Sequence, residues 1–287
     1  MILLRILETC VPAVAFLLML AVGLDITRDG LRDVAGRWGF VIGATVAQAT
    51  ILPAAALMLL RIAGPEPRIA EYLLLVAACP GGGMSNVYVY LARANTALSV
   101  ALTAFSSLLA IATIPLITEA YALILGRAPG FALPIPTLLV QLLVMAVIPV
   151  VIGAWVRDRW PEAERRHGRQ LRVLSAVGVA AIVAIGLAQS ATTLDAGLLT
   201  GGLLSVPFLL AGMASGWVLG LVCRVPSRDR FTLLVEFSVR SLAIAMVIEV
   251  TLLHHPDFVA FASVALLGQA SLLMMAVRWY LRSTARE

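Results

Sequence analysis

The stretch Cys79-Pro80-Gly81-Gly82-Gly83-Met84-Ser85-Asn86 lies inside an apolar segment, residues 70–93, that is otherwise long enough to cross a bilayer. Proline lacks a backbone donor and clashes with the preceding turn. Three glycines remove the side chains that stiffen a helix. The segment therefore reads as a membrane helix broken at its centre. Unpaired backbone groups are costly in hydrocarbon, so non-helical backbone survives there only when buried in protein or lining a wet cavity.

The composition around this stretch agrees with a membrane setting. Of 287 residues, 61% are hydrophobic and 13% charged, and the mean hydropathy is +0.99. Soluble domains are roughly 45–50% apolar and about 25% charged, so an ordinary soluble globule and a disordered chain are both excluded. A span needs about 20 apolar residues. Nine segments qualify: 4–24, 39–62, 70–93, 97–125, 136–156, 172–191, 202–222, 230–253 and 258–281. Their runs are continuously apolar, which suits helices and not the alternating strands of a barrel. The expected fold is an all-α polytopic membrane protein of about nine transmembrane helices, with no room for a soluble domain. The first segment lacks the clearly positive leader of a cleaved signal and reads as a retained helix. Cys10, Cys79 and Cys223 form no CxxC pair, which argues against a disulfide framework or structural zinc.

All 21 basic residues are arginine. With nine spans, 16 of them fall on the side that holds the C-terminus (Arg28, Arg32, Arg37, Arg93, Arg157, Arg159, Arg165, Arg166, Arg169, Arg172, Arg224, Arg228, Arg230, Arg278, Arg282 and Arg286). Four fall on the other side (Arg5, Arg61, Arg68 and Arg127), and Arg240 lies within a span. Positive residues favour the cytoplasmic face. The C-terminus is therefore expected in the cytoplasm and the N-terminus outside, in the inner (plasma) membrane. Topology and anionic lipid account for the net charge of +5 without nucleic acid.

The eighth segment carries a second irregularity, Glu236-Phe237-Ser238-Val239-Arg240-Ser241. An acidic residue at the bilayer centre costs at least about 2.5–3.5 kcal/mol, so Glu236 needs a cation, a proton or Arg240 beside it. Paired broken spans in equivalent halves of inverted repeats point to a transporter binding site. A kink for helix packing beside a chance charge pair is the plainer alternative. Ser85 and Asn86 follow the glycines, and Ser99 and Thr103 share one face of the fourth segment. Individually such hydroxyls usually bond their own helix. Together with Glu236 they form a hard-oxygen set suited to sodium; softer metals would call for His or Cys. Glu236 and Arg240 are four apart and on unbroken helix would neutralise each other, giving a sodium-independent or proton-coupled carrier.

Glu119 and Glu249, near outer span ends, are expected at the surface, and His254-His255 in an outer loop. His167 belongs to a charged cytoplasmic stretch that reads as interfacial. Pro115, Pro149 and Pro207 read as kinks, and Trp38, Trp155, Trp160 and Trp279 as interfacial anchors. No HExxH, aspartate pair or serine with a base is apparent, so an enzyme is not expected.

The quoted stretch, with Tyr90-Leu91-Ala92-Arg93 and Ala97-Leu98-Ser99-Val100, closely resembles the bile acid:sodium symporter family, whose signature runs C-P-G-G-x-x-S-N, then Y-L-A-(R/K)-G-(N/D), then A-L-S-V. Gln48 and Glu236 also match family positions. The resemblance extends over most of the chain. It implies inverted repeats with two broken, crossing helices. A panel domain would comprise residues 1–24 and 136–191, a core domain residues 39–125 and 202–282, with a cytoplasmic linker at 157–171. One sodium site would use Ser85, Asn86, Ser99, Thr103 and Glu236. A second would use Gln48, Glu236, the backbone carbonyls of Phe237 and Val239, and a family glutamine that is Arg240 here. Arginine has five donors, no acceptor and a permanent charge, so this second site is expected to be degenerate. Substrate positions would be Gly83, Arg240 and Ser241. The implied function is sodium-coupled import of a small organic anion, a carboxylate or bile-acid-like molecule, by alternating access, with one sodium in place of two. Neither an organic cofactor nor a metal other than sodium is implied, nor an obligate protein partner. The alternatives are a sodium-independent, proton-coupled or efflux carrier of the same fold, with Glu236 and Arg240 as an internal ion pair, or a sensor on the same scaffold.

Overall fold

A computed structural model describes residues 2–125, 135–193 and 196–284. Arg127 and Arg286 of the charge count lie outside the described residues. The described chain is almost wholly helical: α1 (Ile2–Asp25), α2 (Arg28–Ala35), α3 (Trp38–Ala63), α4 (Pro67–Ala78), α5 (Met84–Leu91), α6 (Thr96–Leu125), α7 (Ile135–Leu142), α8 (Ile148–Arg159), α9 (Pro161–Thr193), α10 (Ala196–Val222), α11 (Ser227–Ser238), α12 (Leu242–Val247) and α13 (Phe258–Thr284). A π-helical turn, Leu143–Val147, joins α7 to α8, and another, Ile248–Leu252, extends α12. Each apolar segment of the sequence is occupied by a helix or an interrupted helix. Among the described residues, five spans, including Trp38–Ala63 and Phe258–Thr284, are long and apolar enough to cross a membrane by length and composition.

Local chemistry sets the boundaries. Pro149 sits in the first turn of α8, directly after the first π turn, where its missing donor is tolerated. The stretch 157–171 is helical on either side of Trp160: α8 runs to Arg159 and α9 begins at Pro161. Pro161 followed by Glu162 and Glu164 starts a helix well, since proline needs no partner there and carboxylates suit the positive end. Glu164 then ties the corner by accepting from Arg157 and, at 2.9 Å, from Arg172.

α1 packs on α8 and α9. Gly23 and Gly153 let the first pair approach. A Cβ on Gly153 would lie 2.3 Å from the Leu20 carbonyl oxygen, and one on Gly23 2.2 Å from that of Val150. Backbone cannot move aside as a side chain can. Gly153→Ala is expected to destabilise the protein by about 1–3 kcal/mol, read as a lower Tm in thermal unfolding.

α10 packs on α11 in the same way. Gly212, Gly216 and Gly220 recur every fourth residue, the small-residue spacing that brings membrane helices together. A Cβ on Gly216 would lie 2.2 Å from the Leu233 carbonyl oxygen. This close seat holds α11, which carries Glu236.

Candidate functional site

The two interrupted spans break at different points of their own sequence and meet each other. α4 stops at Ala78, since Pro80 cannot continue it, and α11 stops at Ser238. The extended pieces that follow run antiparallel, with Gly81 bridged to Arg240. Gly82 N donates to the Val239 carbonyl at 3.1 Å, and Ser241 N to the Pro80 carbonyl at 2.9 Å. Each break thereby satisfies backbone groups that the other leaves without helix partners. A Cβ on Gly82 would stand 3.0 Å from the Arg240 carbonyl oxygen, so a side chain there would press on the backbone it crosses.

Glu236 lies in the last turn of α11 and is fully buried. Ser99 Oγ contacts Glu236 Oε1 and lies 2.7 Å from Asn86 Oδ1. Thr103 Oγ1 donates to Glu236 Oε2 at 3.1 Å. Ser85 Oγ donates to the Gly82 carbonyl at 2.8 Å and lies 3.3 Å from Thr103 Oγ1. The five residues expected for the first cation site thus form one buried cluster. Two more belong to it that the sequence reading did not include. Ser106 Oγ accepts from Gly81 N at 3.0 Å. Gly81 leaves room for the carboxylate, because a Cβ there would stand 3.1 Å from Glu236 Oε2. Ser106 continues the stripe of Ser99 and Thr103 at helical spacing, which is the signal that could have found it.

Among the hydroxyls of the cluster, acceptors outnumber donors, while the amide nitrogen of Asn86 has no partner. A hydroxyl has one proton to donate. Ser85 spends its proton on Gly82 and Thr103 on Glu236. Ser99 has one proton for two acceptors, Asn86 Oδ1 and Glu236 Oε1. A buried carboxylate surrounded by hydroxyl and amide oxygens fits a small hard cation. Among the described residues no group of three or more His, Cys, Asp or Glu is placed to hold a metal ion.

The residues expected for a second cation site are not assembled around Glu236 by hydrogen bonds. Gln48 is buried on α3 with both amide atoms unpartnered. The Val239 carbonyl accepts from Gly82, and that of Phe237 faces Gly212. Arg240 is 5% exposed. Its Nη2 donates to the Cys79 carbonyl, while Nε and Nη1 have no partner. Arg240 forms no ion pair with Glu236: the helix ends between them, so a spacing of four no longer places them on adjacent turns. The internal ion pair considered from sequence is therefore not formed.

The three substrate positions lie together. Gly83, Arg240 and Ser241 line a void of about 40 Å³ with Gly82 and Val239. Gly83 also lines a cavity of about 750 Å³, with Asn86 on one side and Val22 of α1 on the other. Arg169 and Arg172 of α9 are also among its lining residues. Asp25 accepts from Arg172 there at 2.7 Å.

One sequence expectation is corrected. Glu249 is fully buried, not at the surface, whereas Glu119 is exposed. The π turn at Ile248–Leu252 and a left-handed His254 (φ 57°) fold the chain back, so that His255 Nδ1 reaches Glu249 Oε2 at 3.0 Å.

Comparison with known proteins adds an independent line. The Sodium Bile acid symporter family model matches residues 12–196. The chain is 33% identical over 209 residues to the sodium-dependent transporter YocS of Bacillus subtilis (strain 168), itself uncharacterized, covering 72% of this chain and 62% of that protein. It is 27% identical over 224 residues to the human ileal sodium/bile acid cotransporter, covering 77% and 63%. It is 28% identical over 211 residues to the human sodium-dependent organic anion transporter, covering 71% and 54%. The chain spans a little over half to three fifths of the length of these relatives. With a family match over 12–196, a helical polytopic membrane fold and the crossed breaks at Pro80–Gly83 and Val239–Ser241, the chain belongs to the sodium bile acid symporter family.

Proposed function

We propose that the protein is a secondary active transporter that couples import of a small organic anion to one sodium ion. The observation that carries this reading is the Glu236 cluster, a fully buried carboxylate surrounded by the side-chain oxygens of Ser85, Asn86, Ser99 and Thr103. A sodium ion at that cluster supplies the missing positive charge. Arg240 takes the place of a second ion, since its guanidinium is permanently charged and has no lone pair to offer. The anion binds at Gly83, Arg240 and Ser241, reached through the cavity that Arg169 and Arg172 also line. Carboxylates, from bile-acid-like molecules to small hydroxy acids, are the substrate class.

Movement follows from the packing. α1, α7, α8 and α9 form the panel, and the remaining helices form the core that holds both breaks. The cavity lies along their seam, lined by α1 and α9 on one side and α5 on the other. Rocking one group against the other closes this side and opens the opposite one. The arginine bias supports a plasma-membrane protein with its C-terminus in the cytoplasm, which makes the arginine-lined cavity inward-facing.

The single Ser99 proton between Asn86 Oδ1 and Glu236 Oε1 favours one other reading, a proton on Glu236 and proton-coupled transport. Thermal unfolding of the purified protein separates the two. Organic acids are screened with sodium chloride or with choline chloride at equal ionic strength. A ligand at 100 times its Kd adds about 2.7 kcal/mol of stability. The sodium reading predicts stabilisation by sodium alone and a further shift with substrate. A substrate shift that ignores sodium and follows pH would support the proton reading instead.

A further inference from the structure

A second buried carboxylate stands two helical turns before Glu236, on the same face of α11. Asp229 is 3% exposed. Its Oδ2 accepts from Arg37 Nη1 at 2.6 Å and its Oδ1 from Asn95 Nδ2 at 2.7 Å. Asn95 also starts α6: its Oδ1 accepts from Leu98 N at 3.1 Å, and its carbonyl accepts from Ser99 N at 3.1 Å. The Asn95 N–H goes to Thr232 Oγ1 at 3.1 Å. Every polar group of Asn95 is thus spent, half within α6 and half on α11.

The spacing gives this junction its meaning. On α6, Asn95, Ser99 and Thr103 recur every fourth residue and form one stripe. On α11, Asp229, Thr232 and Glu236 form the facing stripe at intervals of three and four. Asn95 meets Asp229 and Thr232 at one end of this seam. Ser99 and Thr103 meet Glu236 at the other. Arg37, at the start of α3, closes the junction from a third element. Sliding α6 along α11 would break the charged end and the cation end together.

We propose that Asp229 is a positioning residue for the cation site. Clamped between Arg37 and Asn95, it fixes the register of α6 on α11 and so sets how tightly Glu236, Ser99 and Thr103 bind sodium. This rests on the sodium reading above. Asp229 does not touch the ion. A site built from several side chains loses affinity when they drift by about half an ångström, and losing an outer-shell partner of a metal site typically costs about 10–100-fold in affinity.

The test is a sodium titration of thermal stability on the full-length purified chain, comparing wild type with Asp229→Ala, Asp229→Asn and Arg37→Met. A purely structural role would lower the sodium-free Tm and leave the sodium midpoint in place. Positioning moves the midpoint. Asp229→Ala is expected to raise it by about 10–100-fold. Asp229→Asn keeps the shape and an oxygen for Asn95, so it raises the midpoint less. Arg37→Met removes only the 40%-exposed partner and leaves both helices intact, so it reports on the clamp even if Asp229→Ala does not fold. An unchanged midpoint in Arg37→Met and Asp229→Asn, with reduced Tm, overturns the proposal. A wild-type protein that does not respond to sodium overturns the sodium reading itself, and this inference with it.

Discussion

Glu236→Gln abolishes the sodium-dependent gain in thermal stability. This is the largest effect expected of any single change in the chain. Glutamine has the same shape and keeps an oxygen for Ser99 or Thr103, so the substitution removes the negative charge and little else. Two unit charges about 4 Å apart at an effective dielectric near 20 attract by about 4 kcal/mol. Losing that raises the sodium Kd by about a thousandfold, at 1.36 kcal/mol per factor of ten. The sign without sodium is opposite. Glu236 is fully buried and has no cationic side chain within ion-pair distance among the described residues. Burying a charge without an ion-pair partner is costly, a cost that the neutral amide avoids and that the nearby buried Arg240 only partly offsets in the wild type. The variant should therefore unfold at the same temperature as wild type, or a higher one, in choline chloride, and gain nothing from sodium chloride. A sodium response that survives the substitution would place the ion elsewhere.

Arg240→Gln is expected to change how hard the transporter can pump. One sodium with a monoanion moves no net charge, so the membrane potential does not drive the step. A tenfold sodium gradient then supplies about 1.4 kcal/mol, enough for about tenfold accumulation. A second sodium adds the same amount again, plus about 2.3 kcal/mol per 100 mV. Together these approach about 5 kcal/mol at 100 mV, a limit of several thousandfold. Glutamine at 240 replaces a guanidinium that has two unpartnered donor atoms with a side chain that has a carbonyl oxygen. Gln48, with both amide atoms unpartnered, is already buried. The variant should show cooperative sodium dependence, and its uptake should rise when the liposome interior is made negative. Wild-type uptake of the same organic acid should be insensitive to voltage. Voltage-driven uptake by the wild-type protein would contradict the single-sodium account.

The broken third span was legible because its cause is local: Pro80 and the three glycines forbid a helix wherever they are placed. Ser99, Thr103 and Glu236 could be read as a set because helical spacing puts the first two on one face and a mid-membrane carboxylate needs company. The pairing of the breaks was less visible, since the bonds from Gly82 to Val239 and from Ser241 to Pro80 join distant parts of the chain. The clamp was hidden for the same reason. Asn95 reads locally as a helix start, but its partner Asp229 lies 134 residues away, and Arg37 lies 192 from Asp229. The burial of Glu249 is not legible locally, because position along a span does not fix depth in the fold. The π turn and the left-handed His254 that bury it leave no simple periodic signal. Within the charged stretch 157–171, Pro161 with Glu162 and Glu164 is a readable helix start. The glycines of α10, four apart in an apolar segment, were readable and went unread.

Equilibrium dialysis of the purified protein against radioactive sodium tests the central claim most directly. The account predicts one sodium bound per chain, lost in Glu236→Gln and retained in Glu119→Gln, where the carboxylate is exposed. Two sodium ions per chain, none, or one that persists without the Glu236 carboxylate would contradict it.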